Sequence, residues 1–496
     1  MGSTSRRVLA AAVFLGAAAL ALTLLPGLST WLTWRELAQT AQADAASWSR
    51  QSSPWHWTVR RPEDLVAGRV FGDVSQATSP DGLVLRTEES SPFEMGLPLA
   101  RTADLAHAGR LQILMKPEAP VSVQLVVREH LDGPAFVSDP VFGATDLALD
   151  TPTLTWSADG HPSVPPTRAA MLRLRLQLQP GKAVVFSGAS LEPMLPIVRP
   201  VPGTPARTRS LGAWIDAAGH LDARQIPWLV PTASLRAESL LHWRDRARDA
   251  IPAAIVGSGA PHPGLPAWAS QRLAAVLVIF YVLGLIWLWR RPPARPGLRA
   301  GLETAGLLAG PLWLVAGLHF GTTDIPLPAV ACVAALAFGA LLAWRDRHAP
   351  YGLRPASGVE RWLVPFILLP VAIVLAMGAE RTWTTPDQLR VLTYIAWAFI
   401  QQWLLLSLVG RRLHRLMPPA AAMFVTALAF ALLHTPNGAL MQMCFIAELW
   451  WAWCYYRGRT LVPIAVAHAA CALVLEAGLA GGSYLRSLEV SARFFL

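Results

Sequence analysis

The chain has 496 residues, 53% of them hydrophobic and only 15% charged, with a mean hydropathy of +0.38. That balance excludes an ordinary soluble protein and a disordered one, and leaves a polytopic membrane protein long enough for a helical bundle plus a second domain. The formal net charge of +10 comes almost wholly from arginines, many beside apolar runs. This is a topology signal, so no nucleic-acid partner is expected. The four cysteines, Cys332, Cys444, Cys454 and Cys471, sit in apolar runs without the spacing of metal ligands, and the polar region has none to build a disulfide framework.

Arg6 and Arg7 precede an apolar run over 8–28, longer than a signal-peptide core, with Trp31 and Trp34 at its far edge. The run predicts an uncleaved signal-anchor helix over 1–33. A cleaved signal is the alternative, because small residues follow in AQADAAS. From 34 the composition turns polar, and both lysines of the chain, Lys116 and Lys182, fall in this region. Leu172, Leu174, Leu176 and Leu178 alternate with Arg173, Arg175, Gln177 and Gln179, the period of a half-buried strand. Similar runs at LQILM, VSVQLVV and AVVFSG predict an all-β domain over 34–195, with a sandwich or jelly-roll core at about 66–193. Such folds serve as spacers, docking modules or sugar binders, and a spacer or partner-docking role is preferred. A linker, proline-rich at 196–205, and an amphipathic helical stretch near 234–251 fill 196–270.

Eight apolar segments then follow, at 273–289, 300–320, 329–344, 362–377, 391–409, 420–433, 441–455 and 461–480, giving an eight-helix membrane bundle over 271–496. With the N-terminus inside, the inner loops carry fifteen arginines: Arg6, Arg7, Arg290, Arg291, Arg295, Arg299, Arg345, Arg347, Arg354, Arg361, Arg411, Arg412, Arg415, Arg457 and Arg459. The short outer segments carry four: Arg381, Arg390, Arg486 and Arg493. This bias predicts nine spans, N-in and C-out, with residues 34–270 extracytoplasmic. Arginine in place of lysine fits a GC-rich bacterial gene, hence a bacterial inner membrane with a periplasmic β domain.

Within the last spans a few polar side chains stand in hydrocarbon-like sequence: Gln401, Gln402, His434, Glu448, His468 and Glu476. Such groups are costly in a bilayer and mark function by default. Phe430 and His434 are four apart and share a helix face, and Pro436 biases that helix to end just past the histidine. One membrane histidine reads as an interhelical hydrogen bond, whereas two on different spans with paired amides on a third point to a site. Glu448, mid-span, and Glu476, eight residues beyond His468, are the carboxylates available as a base. Either could instead pair with an arginine near a helix end such as Arg457. Trp450, Trp451 and Trp453 read as lipid-facing or interfacial anchors. The chain has no HExxH, GxSxG or P-loop motif.

Residues 362–480 resemble the CAAX prenyl protease and bacteriocin-processing (CPBP, or ABI) family of intramembrane proteases. Its pattern is Glu-Glu-x-x-x-Arg, then Phe-x-x-x-His, then His-x-x-x-Asn. The second motif is intact as Phe430 to His434, followed by Thr435-Pro436-Asn437, and His468 stands in the context GRTLVPIAVAH. The first motif is changed to Gln401, Gln402 and Leu406, and the last ends in Ala472. The resemblance implies a (metallo)endopeptidase that cleaves a membrane-anchored or exported protein or a lipidated peptide. His434 and His468 would hold a divalent metal such as zinc, or the oxyanion. Gln401 or Gln402 would orient water or substrate, and Glu448 is the substitute base. The β domain would recruit the substrate or an envelope partner. The rival reading is a pseudoprotease that scaffolds cell-envelope machinery. A transporter is a third, weakened because no internal hydropathy repeat is evident.

Overall fold

The computed structural model describes residues 3–200, 224–231, 235–258, 267–322, 326–346, 358–379, 383–458, 460–482 and 484–496. Residues 201–205 of the proline-rich linker expected at 196–205, and Arg347, Arg354, Arg381 and Arg459, lie outside them. The chain divides into two compact units. One comprises Met1–Trp34, Leu235–Leu241 and Pro263–Leu496, and the other Arg35–Ser234 with His242–His262.

The first helix, α1, runs Ser3–Ser49, well past the 1–33 expected of the anchor. After Trp34 the sequence RELAQTAQADAAS is rich in strong helix formers, so the helix propagates beyond its apolar run. The amphipathic stretch forms α2, Ala237–Ala250.

The second unit is built on two antiparallel sheets. One joins His56–Thr58, Ser75–Ser79, Gly82–Arg86, Arg110–Pro117, Leu147–Asp150 and Ala183–Glu192, and the other is centred on Val121–Arg128, Met171–Gln177 and Phe93–Leu97. Leu174 lies opposite both Leu125 and Met95. The period-2 pattern therefore buries Leu172, Leu174 and Leu176 completely or nearly so, and turns Arg173 and Arg175 outward, where both donate to Glu94 at 3.1 and 2.7 Å. Ile113 and Phe186 of one sheet share a core with Leu125 and Leu174 of the other, so the sheets stack face on face. The β region starts at His56, ten residues before the expected edge of its core, because His56–Thr58 pairs with Gly188–Ser190. Gly188 is required there, since a Cβ would run into the Trp57 carbonyl.

Asp104, 4% exposed, ties a distant segment to this unit. It accepts from the backbone N–H of His107 at 2.9 Å and of Ala253 at 3.0 Å, with His107 Nδ1 at 3.1 Å. Burial pushes its carboxyl up, and the hydrogen bonds and charge of His107 with the Ala253 bond outweigh this and hold it below the usual range.

The first unit is helical. All eight expected segments are helices: α3 Ala267–Arg290, α4 Pro296–Val315, α5 Pro326–Arg345, α6 Val359–Met377, α7 Gln388–Leu416, α8 Pro419–Leu432, α9 Gly438–Gly458 and α10 Val462–Gly478. Among the described residues, five stretches are long and apolar enough to cross a membrane: Val8–Ser49, Arg272–Arg290, Pro326–Arg345, Val359–Met377 and Gln388–Leu416. Pro419–Leu432 and Val462–Gly478 are apolar but shorter. A charge network staples α4, α5 and α7. Buried Glu303 accepts from Arg299 at 2.9 Å, from Arg412 at 2.7 Å and from Arg345, and Arg412 also donates to Asp346 at 3.0 Å. A carboxylate at this depth is retained because its charge is fully paired.

Candidate active site

Three of the six polar residues of the last spans line one cavity of about 340 Å³. Gln401 of α7, His434 after α8, and His468 and Ala472 of α10 line it, with Tyr394, Trp451 and a wall of aliphatic side chains. The sequence brings them there by ordinary means. Helix α8 ends at Leu432, and His434 sits in the following turn, as Pro436 requires. Phe430 packs edge-on against both imidazoles, at ring-centroid distances of 4.7 Å to His434 and 5.3 Å to His468.

The two histidines are set oppositely. His434 Nδ1 lies 2.8 Å from the carbonyl oxygen of Phe430. A carbonyl only accepts, so Nδ1 carries the hydrogen and Nε2 keeps a free lone pair. His468 Nδ1 lies 3.4 Å from the amide nitrogen of Gln402. An amide nitrogen only donates, so here Nδ1 accepts and Nε2–H is left as a donor.

Gln402 and Glu448 form a layer behind His468. Both are fully buried, and Gln402 Nε2 donates to Glu448 Oε2 at 2.9 Å. The amide thus touches the carboxylate and the imidazole together. Neither residue lines the cavity. Their remaining oxygens, Gln402 Oε1 and Glu448 Oε1, are buried without a hydrogen-bond partner, a cost of about 1–3 kcal/mol each. Immediately after Gln402 the helix loosens into a π-helical stretch, Trp403–Gly410, a feature frequent at functional sites.

Residues 388–474 match the family model of type II CAAX prenyl endopeptidase Rce1-like proteins. No curated protein matches the chain. The resemblance drawn from Phe430, His434 and His468 thus holds for this segment, which contains every cavity-lining polar residue named above. The Rce1-like segment departs from its family pattern where Gln401, Gln402, Leu406 and Ala472 stand. Ala472 lines the cavity, and Leu406 is fully buried in the hydrophobic core of the bundle.

The alternatives for Glu476 are decided, and one tryptophan reading is corrected. Glu476 does not line the cavity and pairs with an arginine near a helix end, Arg390, whereas Arg457 lies over the Trp453 ring at 4.7 Å. Trp451 is no lipid-facing anchor. It is 2% exposed, donates to the Pro365 carbonyl at 3.3 Å and lies 5.0 Å from the His468 ring. Its spacing of three from Glu448 already put the two on one helix face, and that was the signal available for it. Trp450 and Trp453 stack on each other at 4.9 Å. Among the described residues no group of three or more His, Cys, Asp or Glu could hold a metal ion, so His434 and His468 are not joined there by a third ligand of those types.

Proposed function

We propose that the chain is an intramembrane endopeptidase of Rce1-like type whose two active imidazoles have opposite roles. The observation that carries this is their complementary hydrogen bonding around one cavity, His434 through Phe430 and His468 through Gln402. His434 Nε2 takes a proton from water as general base, and the hydroxide attacks the scissile carbonyl. The developing oxyanion accepts from His468 Nε2–H and from the amide of Gln401. When the tetrahedral intermediate collapses, His434 returns the proton to the leaving amine. Glu448 acts through Gln402 as a positioning residue, since the amide it holds sets the His468 tautomer.

The same reading covers the membrane topology. Fifteen inner against four outer arginines support nine spans with the N-terminus in the cytoplasm. They support a β unit on the far side of a bacterial inner membrane, positioned to present a membrane-anchored or exported protein or lipidated peptide, or to dock an envelope partner. Cleavage of a membrane-anchored reporter in proteoliposomes tests the enzyme. His434→Ala is expected to lower the rate about 10²- to 10⁴-fold, and His468→Ala about 10²- to 10³-fold.

The second reading, a scaffold that binds without cleaving, is favoured by one fact. Among the described residues no carboxylate lines the cavity, and Gln401 stands there where the family has a glutamate. If the unaltered protein retains the reporter and never cuts it, the scaffold reading replaces the enzyme.

A further inference from the structure

A piece of this chain forms part of the cavity wall. Leu488 and Val490, alternate residues of the segment 484–496, are part of its lining. Between and beyond them the backbone is captured on its other side. Asn437 Nδ2 donates to the carbonyls of Ser487 at 2.6 Å and Glu489 at 3.2 Å, and the N–H of Ser491 donates to the carbonyl of Thr435 at 2.7 Å. Backbone groups of 487, 489 and 491 thus bond to Asn437 and Thr435 while residues 488 and 490 line the cavity. That alternation is how an extended strand binds, although no sheet ladder is present here.

The capture is made within three residues of His434, by the turn Thr435-Pro436-Asn437 that presents the histidine. It also carries a cost. Ser491 adopts φ +57°, sparsely populated for a residue with a side chain, and its buried hydroxyl has no partner. Beyond it Phe494 and Phe495 pack with Ala237, Leu241 and Leu318, which anchors the far end of the segment.

We infer that residues 487–491 lie in the cleft that receives an extended peptide, and that they keep it closed until a chain with aliphatic side chains at alternate positions displaces them. Among the described residues the cavity lining contains no charged side chain, so it selects apolar side chains and an uncharged stretch of backbone rather than a free carboxylate end. This deepens the protease reading by naming its substrate class, and it rests on that reading only for the cutting. Occupancy itself needs no catalysis.

Native thiols report it. Cys332, Cys444 and Cys471 line the cavity, while Cys454 is buried elsewhere. N-ethylmaleimide modification of each cysteine in the full chain, followed by peptide mass spectrometry, reads whether the segment is seated. The double variant Leu488→Ser with Val490→Ser is expected to react about tenfold faster at Cys444 and Cys471, with Cys454 unchanged as the check on folding. Asn437→Ala gives the same contrast from the other side of the contact. It also removes the side chain that accepts from the Leu440 N–H at 3.1 Å, so the Cys454 control matters most for it. Adding the peptide acetyl-Ser-Leu-Glu-Val-Ser-Ala-amide to the double variant restores protection, and its analogue with Leu and Val replaced by Asp does not. Unchanged thiol rates in both variants, or equal protection by the two peptides, would overturn the inference even if the reporter is still cleaved.

Discussion

At the scale of residues, a buried polar pair takes the place of the family's two glutamates. A glutamine cannot act as a base near neutral pH, and the Gln402 amide instead spends its hydrogens on Glu448 and His468. The carboxylate has in effect moved to the neighbouring helix. Gln402→Glu would replace the amide donor with a second carboxyl group 2.9 Å from the first, and is expected to lower the unfolding temperature at a cost of about 1–3 kcal/mol. Adding Glu448→Gln exchanges the two groups and should recover most of that loss. Strict additivity of the two substitutions in a thermal-unfolding cycle would show that the pair is not coupled. Trp451 and Phe430 complete the setting, since each packs against the His468 ring and limits how it can turn.

At the scale of elements, two features decide what the helices and strands can present. The π-helical stretch Trp403–Gly410 breaks the 3.6-residue period straight after the paired glutamines. A helical wheel drawn through Gln401, Gln402 and Leu406 therefore misplaces the last of them. In the β unit, Asp104 joins the short pair Ala103–Asp104 and Arg168–Ala169 to the backbone at Ala253. Its carboxyl is held below the ordinary range when folded, so its contribution to stability is complete above the ordinary carboxylate pKa near about 4 and is lost as pH falls through the folded value. Unfolding of the full chain followed from pH 7 downward should show the unaltered protein losing stability through this acid window. Asp104→Asn should be less stable at pH 7 and respond less to acid. Parallel curves would remove Asp104 from the account.

At the scale of the whole molecule, the question is which side of the membrane each unit faces. The arginine asymmetry predicts that trypsin added to intact spheroplasts cuts within residues 35–258, and that in inside-out vesicles the same region is protected while the loops near Arg290 and Arg412 are reached. Cleavage of 35–258 only in the inside-out preparation would reverse the orientation. The network of Glu303 with Arg299, Arg345 and Arg412 bears on the same point, because it concentrates positive charge at one end of α4, α5 and α7, the end assigned to the cytoplasm.

The sequence by itself determined the identity and order of the elements. Alternation at Leu172 to Leu178 marked a strand, apolar runs marked each helix of the bundle, and Phe430, His434 and His468 marked the family, because all of these are local patterns with a fixed period. Tertiary packing decided the rest. Period tells which face of a helix is apolar but not which neighbour meets it, so only the folded bundle joined Gln402 to Glu448, turned Glu476 toward Arg390 and buried Trp451 against His468. The seating of Leu488 and Val490 was the least legible of all. Those residues belong to no regular element, and their position is fixed by backbone bonds to Asn437 and Thr435, some fifty residues away in the chain.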